Sequence, residues 1–480
     1  MPYTTRSLAT LFSLLLLAIG ISGCAETGPL GATAGGAQDI GHARNIIEAG
    51  GIPDPGFVVA EGLLSEHDIA TPEDDCSDPL CLSFGYARAE GIDDNESDLF
   101  VHVGMTTGLT ADNFARPDLD LVLVLDKSGS MSGESIKALR DGLTRLVAKL
   151  GPNDEVMVIT FNSSFSTPLP FGRMDGRGKR ALLDVINKLE ADGGTNIESA
   201  IAHGFAAVDA RPDVGGRSKR LMLFTDARPN VGVTGQDRFR DLTARYAEKE
   251  IGLSVFGVGI DFGQDLVYHI SRLRGGNFFF LQNAERIRNV FDEEFDLLVT
   301  PIVHDLKITI PTPPGARLKA IYGLPDQDSG ANETVLEIPT VFFSKNRGAI
   351  ILRYERVNDG EYAIEQGEDV VDGTIRYTFA RDNRSVDRST KATHTAASPG
   401  TNERYFSHGG TRLGVALTNV YLGLYGACLL HSEGESAAAI VLLNRAITYA
   451  LEENVVMMNA GLDKEIELMR MLRGNIEADG

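Results

Sequence analysis

Between residues 119 and 299, short and almost wholly apolar runs alternate with longer stretches whose apolar residues recur every three or four positions. The runs "LDLVLVLD", "EVMVITFN", "RLMLFTD", "GLSVFGVG" and "NFFFLQ" have strand length, and their continuous apolarity is that of strands buried on both faces. Between them, Ile136, Leu139, Leu143, Leu146, Val147 and Leu150 mark one helical face. Leu182, Val185, Ile186 and Leu189 mark a second, and Ile197, Ala200, Ile201, Phe205 and Val208 a third. This order predicts an α/β fold with a doubly wound, mostly parallel sheet over residues 119–299.

The flanks follow another rhythm. Residues 57–118 contain short candidate strands such as "CLSFGYARAE" and "SDLFVHVGMTT". After Pro301 the helical period gives way to "IVHDLKITI", "RLKAIYGL", "TVLEIP", "GAIILRYERV" and "GTIRYTFA", punctuated by Pro, Gly and Asp. That predicts a β-sandwich-like segment over 300–385. Strands on both sides of the α/β unit raise the expectation of one discontinuous sandwich into which that unit is inserted. The polar stretch around "RSVDRSTKATHTAASPG" predicts a linker over 386–411, and helical patterns predict a helical C-terminal region over 412–480. There, Leu413 to Leu430 carries no charge and is long enough to span a bilayer. Thr418, Asn419 and interspersed glycines dilute it, so a buried helix is expected, with Cys428 a buried thiol.

Composition narrows the partners. The 480 residues suffice for two to three domains, and a formal net charge of −22 argues against nucleic acid or an anionic bilayer surface as the main partner. The first residues, "MPYTTRSLATLFSLLLLAIGISGC", have one basic residue, an apolar core and small residues at the end, so 1–23 is read as an export signal. "ISGC" resembles the bacterial lipobox, which implies that Cys24 is lipidated and begins the mature chain. Ala25, not Asp, follows, which implies the outer membrane or cell surface, with the lipid anchor as the sole membrane contact. The Gly- and Ala-rich start of 24–56 predicts a flexible tether. Cys76 and Cys81 in "CSDPLC" are close enough to close a small loop. A disulfide is expected there, because an exported chain permits oxidation. A zinc pair is the alternative, though no second pair stands at matching spacing.

Candidate chemistry lies at the carboxyl ends of the predicted strands, where open α/β sheets bind ligands. Asp126, Ser128 and Ser130 follow the first strand in "DKSGSMS", Thr195 lies in "DGGTN", and Asp226 ends "LFTD". The set resembles the metal-ion-dependent adhesion site of the von Willebrand factor A domain family. The resemblance implies that Asp126, Ser128, Ser130, Thr195 and Asp226 hold Mg²⁺, with Mn²⁺ or Ca²⁺ as alternatives. Mg²⁺ wants six hard oxygens, and three of these donors are neutral hydroxyls. An ion so held is left under-neutralised, and an Asp or Glu carboxylate of a protein partner can complete its shell. Two departures from the family stand out, Lys127 inside the motif and Ala227 after the distal aspartate.

The expected function is that of a lipid-anchored extracytoplasmic binding protein without enzymatic activity. A metal-dependent hydrolase is the rival, but it needs a general base and an activated nucleophile, and neither can be named. An envelope scaffold without metal-dependent binding is the third reading. An accessory role beside an ATP-driven chelatase is disfavoured by the export signal. "DFG" at Asp261–Gly263 lacks the other kinase elements. The histidines show no H-E-x-x-H pair, and His203 and His269 are read as surface or helix-packing residues.

Overall fold

Burial on both faces is what the apolar runs require, and the structure supplies it by layering helices on either side of a sheet. The structure, a computed structural model, describes residues 29–479 apart from 74, 95, 215, 227–232, 259–268, 270–271, 282, 325–329, 331, 358–366 and 395–403. Cys24, Ala227 and Asp261–Gly263 lie outside the described residues.

In chain order the strands are β1 (Pro29–Ala34), β2 (Gly36–Ala37), β3 (Cys81–Glu90), β4 (Ser97–Thr110), β5 (Leu119–Asp126) and β6 (Glu155–Phe161). Next come β7 (Phe165–Arg173), β8 (Ser218–Thr225), β9 (Gly252–Gly257), β10 (Gly276–Phe280), β11 (Pro301–Pro311) and β12 (Ala316–Tyr322). The remainder are β13 (Glu333–Ser344), β14 (Gly348–Arg356), β15 (Asp369–Phe379), β16 (Ser385–Thr393) and β17 (Tyr405–Phe406).

The first sheet has the order β2-β10-β9-β8-β5-β6-β7. Every neighbouring pair is parallel except β6 and β7. Strand β5 shows why its sequence lacks polar alternation. Leu119, Leu121, Leu123 and Leu125 enter one core with Leu139, Leu143 and Leu146 of the helix Glu134–Lys149. Val122 and Val124 enter the other with Ile201 and Phe205 of the helix Ile197–Asp209. Strand β7 escaped the apolar-run pattern because it is an antiparallel edge, where Pro168 and Pro170 interrupt no interior ladder.

The second sheet has the order β12-β14-β4-β1-β13-β11-β15-β16, with β3 beside β4 and β17 beside β3. Its strands come from both sides of the α/β unit, which is therefore inserted between β4 and β11. Along β4, Leu99, Val101, Val103 and Met105 face a core with Ile308, Leu336, Ile350 and Ile375. Phe100, between them, faces the helices Gly409–Ser432, Ser436–Met457 and Ala460–Asp479, the period-two alternation of a covered strand. The helix Gly409–Ser432 is long and apolar enough to cross a membrane. Here Val415, Ala416, Leu417, Val420 and Leu424 have no exposure and join that helix–sheet core.

Three expectations need correction. The tether over 24–56 is, from Pro29 onward, structural: β1 pairs with β4 and β13, and β2 pairs with β10. Its small residues serve close packing, since a Cβ on Gly31 would lie 1.9 Å from the Asn346 carbonyl oxygen. The helix Gly41–Glu48 buries Ala43 and Ile47. The linker over 386–411 also contains strands among its described residues. Strand β16 pairs with β15 as an edge exposed along most of its length, so its polar sequence hid it, and β17 pairs with β3. Finally, 57–118 also contains the helix Ala60–Ser65.

His102 on β4 has no exposed surface, and its Nδ1 lies 3.2 Å from Thr411 Oγ1. Burial, with a smaller contribution from His408, pushes its pKa down from 6.5 to about 3. A histidine held neutral in this way stabilises the fold above its unfolded pKa, and that stability is lost as the pH falls below it. Urea unfolding between pH 7.5 and 4.5 should therefore show a decline that His102→Gln flattens by up to about 1.4 kcal/mol per pH unit. Identical slopes for the two proteins would refute the assignment.

Candidate metal-binding site

The parallel register of β5 and β8 pairs Leu125 with Phe224, so Asp126 and Thr225 emerge side by side at the carboxyl edge of the sheet. Asp126 has no exposed surface. Its Oδ1 accepts the Ser128 backbone N–H at 2.8 Å, and its Oδ2 accepts the Thr225 hydroxyl at 2.5 Å. The amide bond turns the chain sharply after the strand, and fully buried Met131 pins the turn before the helix Glu134–Lys149 begins. Ser128 Oγ then lies 3.0 Å from Ser130 Oγ, and Ser130 Oγ donates to Asp226 Oδ1 at 2.9 Å. Asp126, Ser128, Ser130 and Asp226 thus form one continuous polar chain.

Thr195 is solvent-exposed. Its loop is tied to the first loop by Gly129 N–H to the Gly193 carbonyl at 3.0 Å and by Asp192 N–H to the Lys127 carbonyl at 2.8 Å. Gly193 adopts φ 75°, a left-handed conformation that favours glycine. Gly194 N–H reaches Ser163 Oγ at 2.8 Å, and Asn196 N–H reaches the Asn162 carbonyl at 2.6 Å. The ammonium of Lys127 is directed to Asp192 at 3.4 Å, which accounts for a cation inside the motif.

The donor set suits a small hard cation. Ligands cis to one another on an octahedral ion with oxygens at about 2.0–2.1 Å stand about 2.9 Å apart, close to the Ser128–Ser130 and Ser130–Asp226 separations. The charge pattern is more telling. The buried carboxylates Asp39, Asp98, Asp120 and Asp154 each face an arginine, respectively Arg286, Arg353, Arg217 and Arg116. Asp126 is bonded by a hydroxyl and an amide, both neutral. Burial accordingly raises its pKa, with the Thr225 and Ser128 bonds opposing the rise. Among the described residues, no group of three or more His, Cys, Asp or Glu gathers as a metal cluster, so cation binding at this edge would rest on the hydroxyls.

Thr225 is the site residue that sequence reading passed over, and its signal was a polar residue closing the otherwise apolar "LMLFT". Cys76 and Cys81 are joined by a disulfide, with Cys81 the first residue of β3 in the other sheet. Cys428 is a buried free thiol. His203 stacks on Phe165, and His269 bonds the Thr243 hydroxyl at 2.7 Å.

Residues 120–293 match the family model of the von Willebrand factor type A domain. The chain is 24% identical over 278 residues to "Uncharacterized protein YfbK" of Escherichia coli (strain K12), covering 56% of this chain and 47% of that one. It is 27% identical over 191 residues to "Inter-alpha-trypsin inhibitor heavy chain H4" of Homo sapiens, covering 38% and 20%. It therefore spans less than half the length of either relative. Among solved structures, "von Willebrand factor type A from Catenulispora acidiphila" superposes with a TM-score of 0.53 at 16% identity, covering 83% of this chain and 91% of that one. At that identity the likeness concerns the fold.

In chelator at pH 7.5, Asp126→Asn should melt no lower than the unaltered protein, because it removes a buried charge and keeps the acceptor for Ser128 N–H. A loss of about 1.5–3 kcal/mol, the scale of a broken hydrogen bond to a charged group, would show that the carboxylate needs no cation.

Proposed function

Because residues 120–293 match the family model of the von Willebrand factor type A domain, we infer that the chain is a binding protein without catalysis, which grips an Asp or Glu carboxylate of a protein partner through a divalent ion. The observation that carries this reading is the buried carboxylate of Asp126, which has neutral hydrogen-bond partners where Asp39, Asp98, Asp120 and Asp154 have arginines. Ser128, Ser130 and Thr195 would hold the ion through hydroxyl oxygens that need no deprotonation, while Asp126 and Asp226 supply charge. Mg²⁺ suits this set best, with Mn²⁺ or Ca²⁺ as alternatives. When bound, the ion supplies a Lewis-acidic position that a carboxylate from outside can fill.

Pulldown from envelope extract in Mg²⁺ and in EDTA tests the reading. A partner captured in Mg²⁺ alone, and lost with Thr195→Ala while the melting midpoint holds, is the expected result. Capture in both lanes, or in neither, sinks it.

We further propose a lipid anchor at Cys24 and a place in the cell envelope, at the outer membrane or cell surface. The support is the apolar run of residues 8–21 and the "ISGC" that follows it. Cys24→Ser should move the protein from the membrane pellet to the soluble fraction after export. A variant that still sediments with membranes would count against the anchor.

A further inference from the structure

Exposed apolar surface is concentrated on one helix. Among the described residues nine large apolar side chains are exposed, and five of them, Val441, Leu451, Val455, Val456 and Met458, belong to the helix Ser436–Met457 or its C-terminal cap. Val441, Asn444, Thr448, Leu451 and Val455 recur at three- and four-residue spacing, so they form one stripe. The opposite side, Ala439, Leu443, Ala446 and Ala450, is fully buried in the helix–sheet core. Val441, Asn444 and Thr448 of the stripe line an open groove with Glu90, Arg404 and Glu452. Val441 and Val455 are 59% and 79% exposed, which is costly for a face that meets only water.

The order of residues identifies what covers it. Read outward from Thr448 in either direction, the helix gives a charged residue about one turn away and a valine two turns away. Arg445 and Val441 lie on one side, Glu452 and Val455 on the other. Thr448 at the centre is small, and its hydroxyl is already satisfied by the Asn444 carbonyl at 2.8 Å. Laid antiparallel against a copy of itself about Thr448, the helix sets Arg445 near Glu452 of the second helix, twice, and Val441 near Val455, twice. A parallel arrangement would instead oppose Arg445 to Arg445. Glu452 also lies 3.0 Å from Arg404, and a carboxylate has acceptor capacity at both oxygens.

We propose that this face is a two-fold interface whose occupant is the same helix of a second copy of the chain, running antiparallel. Such closed, self-complementary pairing is the commonest form of association among soluble oligomers. A net charge of −22 disfavours an anionic bilayer as the occupant.

Sedimentation equilibrium of the full chain in density-matched detergent tests the proposal. The expected result is a dimer mass, with Val455→Asp and Arg445→Glu each raising the dissociation constant more than about tenfold at an unchanged melting midpoint. Thr448→Cys should form a disulfide-linked dimer under mild oxidation, and Thr144→Cys, exposed on another helix, should not. A monomer mass at every concentration overturns the proposal, as does a dimer indifferent to Val455→Asp. Flotation of Cys24→Ser with vesicles in a Val455-dependent manner would assign the face to lipid and overturn it as well.

Discussion

The carboxylate of Asp126 is the group on which the site depends. It ends a strand packed on both faces by Leu123, Leu125 and Val124, so the backbone beneath it has no freedom to tilt the side chain toward water. An ionised group in that position is costly unless compensated. The compensation available from the protein is a hydroxyl and an amide, and the amide is also what bends the chain to bring Ser128 and Ser130 round toward Asp226. One hydrogen bond therefore both stabilises the charge and aligns the hydroxyls. Asp39, Asp98, Asp120 and Asp154 are neutralised by arginine; at this edge Asp126 has neutral partners, the Thr225 hydroxyl among them. In the proposed function a divalent ion would offset the remaining cost.

The sheet that carries the site is not an independent unit on a thread. Its edge strand β2 follows β1 after a single residue, and β1 lies between β4 and β13 of the other sheet. Asp39, just beyond, accepts the Phe280 N–H at 3.2 Å and an Arg286 guanidinium N–H at 3.1 Å. The seam continues through Arg220 on β8, which is almost wholly buried, stacks 5.2 Å over Phe342 of β13 and donates to Ser254 Oγ at 2.8 Å. Burial pushes its pKa down to about 9. Gly275 N–H meets Thr340 Oγ1 at 2.8 Å. Hydrogen bonds and a stacked guanidinium fix the relative register of two sheets more narrowly than apolar contact would, because each has a preferred direction.

What could be read from the chain beforehand follows from where each residue's environment is set. Strands β5, β6, β8, β9 and β10 were legible because burial on both faces writes itself as uninterrupted apolar sequence. The helices were legible because burial on one face writes itself as a period. Strands β1, β2 and β16 were not: Gly31 is selected by backbone approach, and β16 has little buried surface. At the site, the spacing of Asp126, Ser128 and Ser130 was visible because it is local. Thr225 was not, since its role comes from the pairing of β5 with β8, which no single segment records. The charge environment of Asp126 was equally hidden, because the arginines that face the other aspartates stand as much as 255 residues away along the chain.

The proposed site for an acidic group would pose an electrostatic problem on a strongly acidic protein. In the proposed site the ion would be held directly by neutral hydroxyls, while Asp126 and Asp226 would offset its charge at a distance and leave little long-range pull on a carboxylate. The net charge of −22 acts on an acidic partner only within the Debye length, about 8 Å at physiological salt. Encounter is therefore slowed rather than steered, the opposite of electrostatically assisted association. Discrimination falls to contact range, where a carboxylate meets the ion directly and a neutral side chain replaces a bound water to no advantage. Had all five donors been carboxylates, the ion would be over-neutralised and that preference lost. In the proposed site the three hydroxyls of Ser128, Ser130 and Thr195 would preserve it.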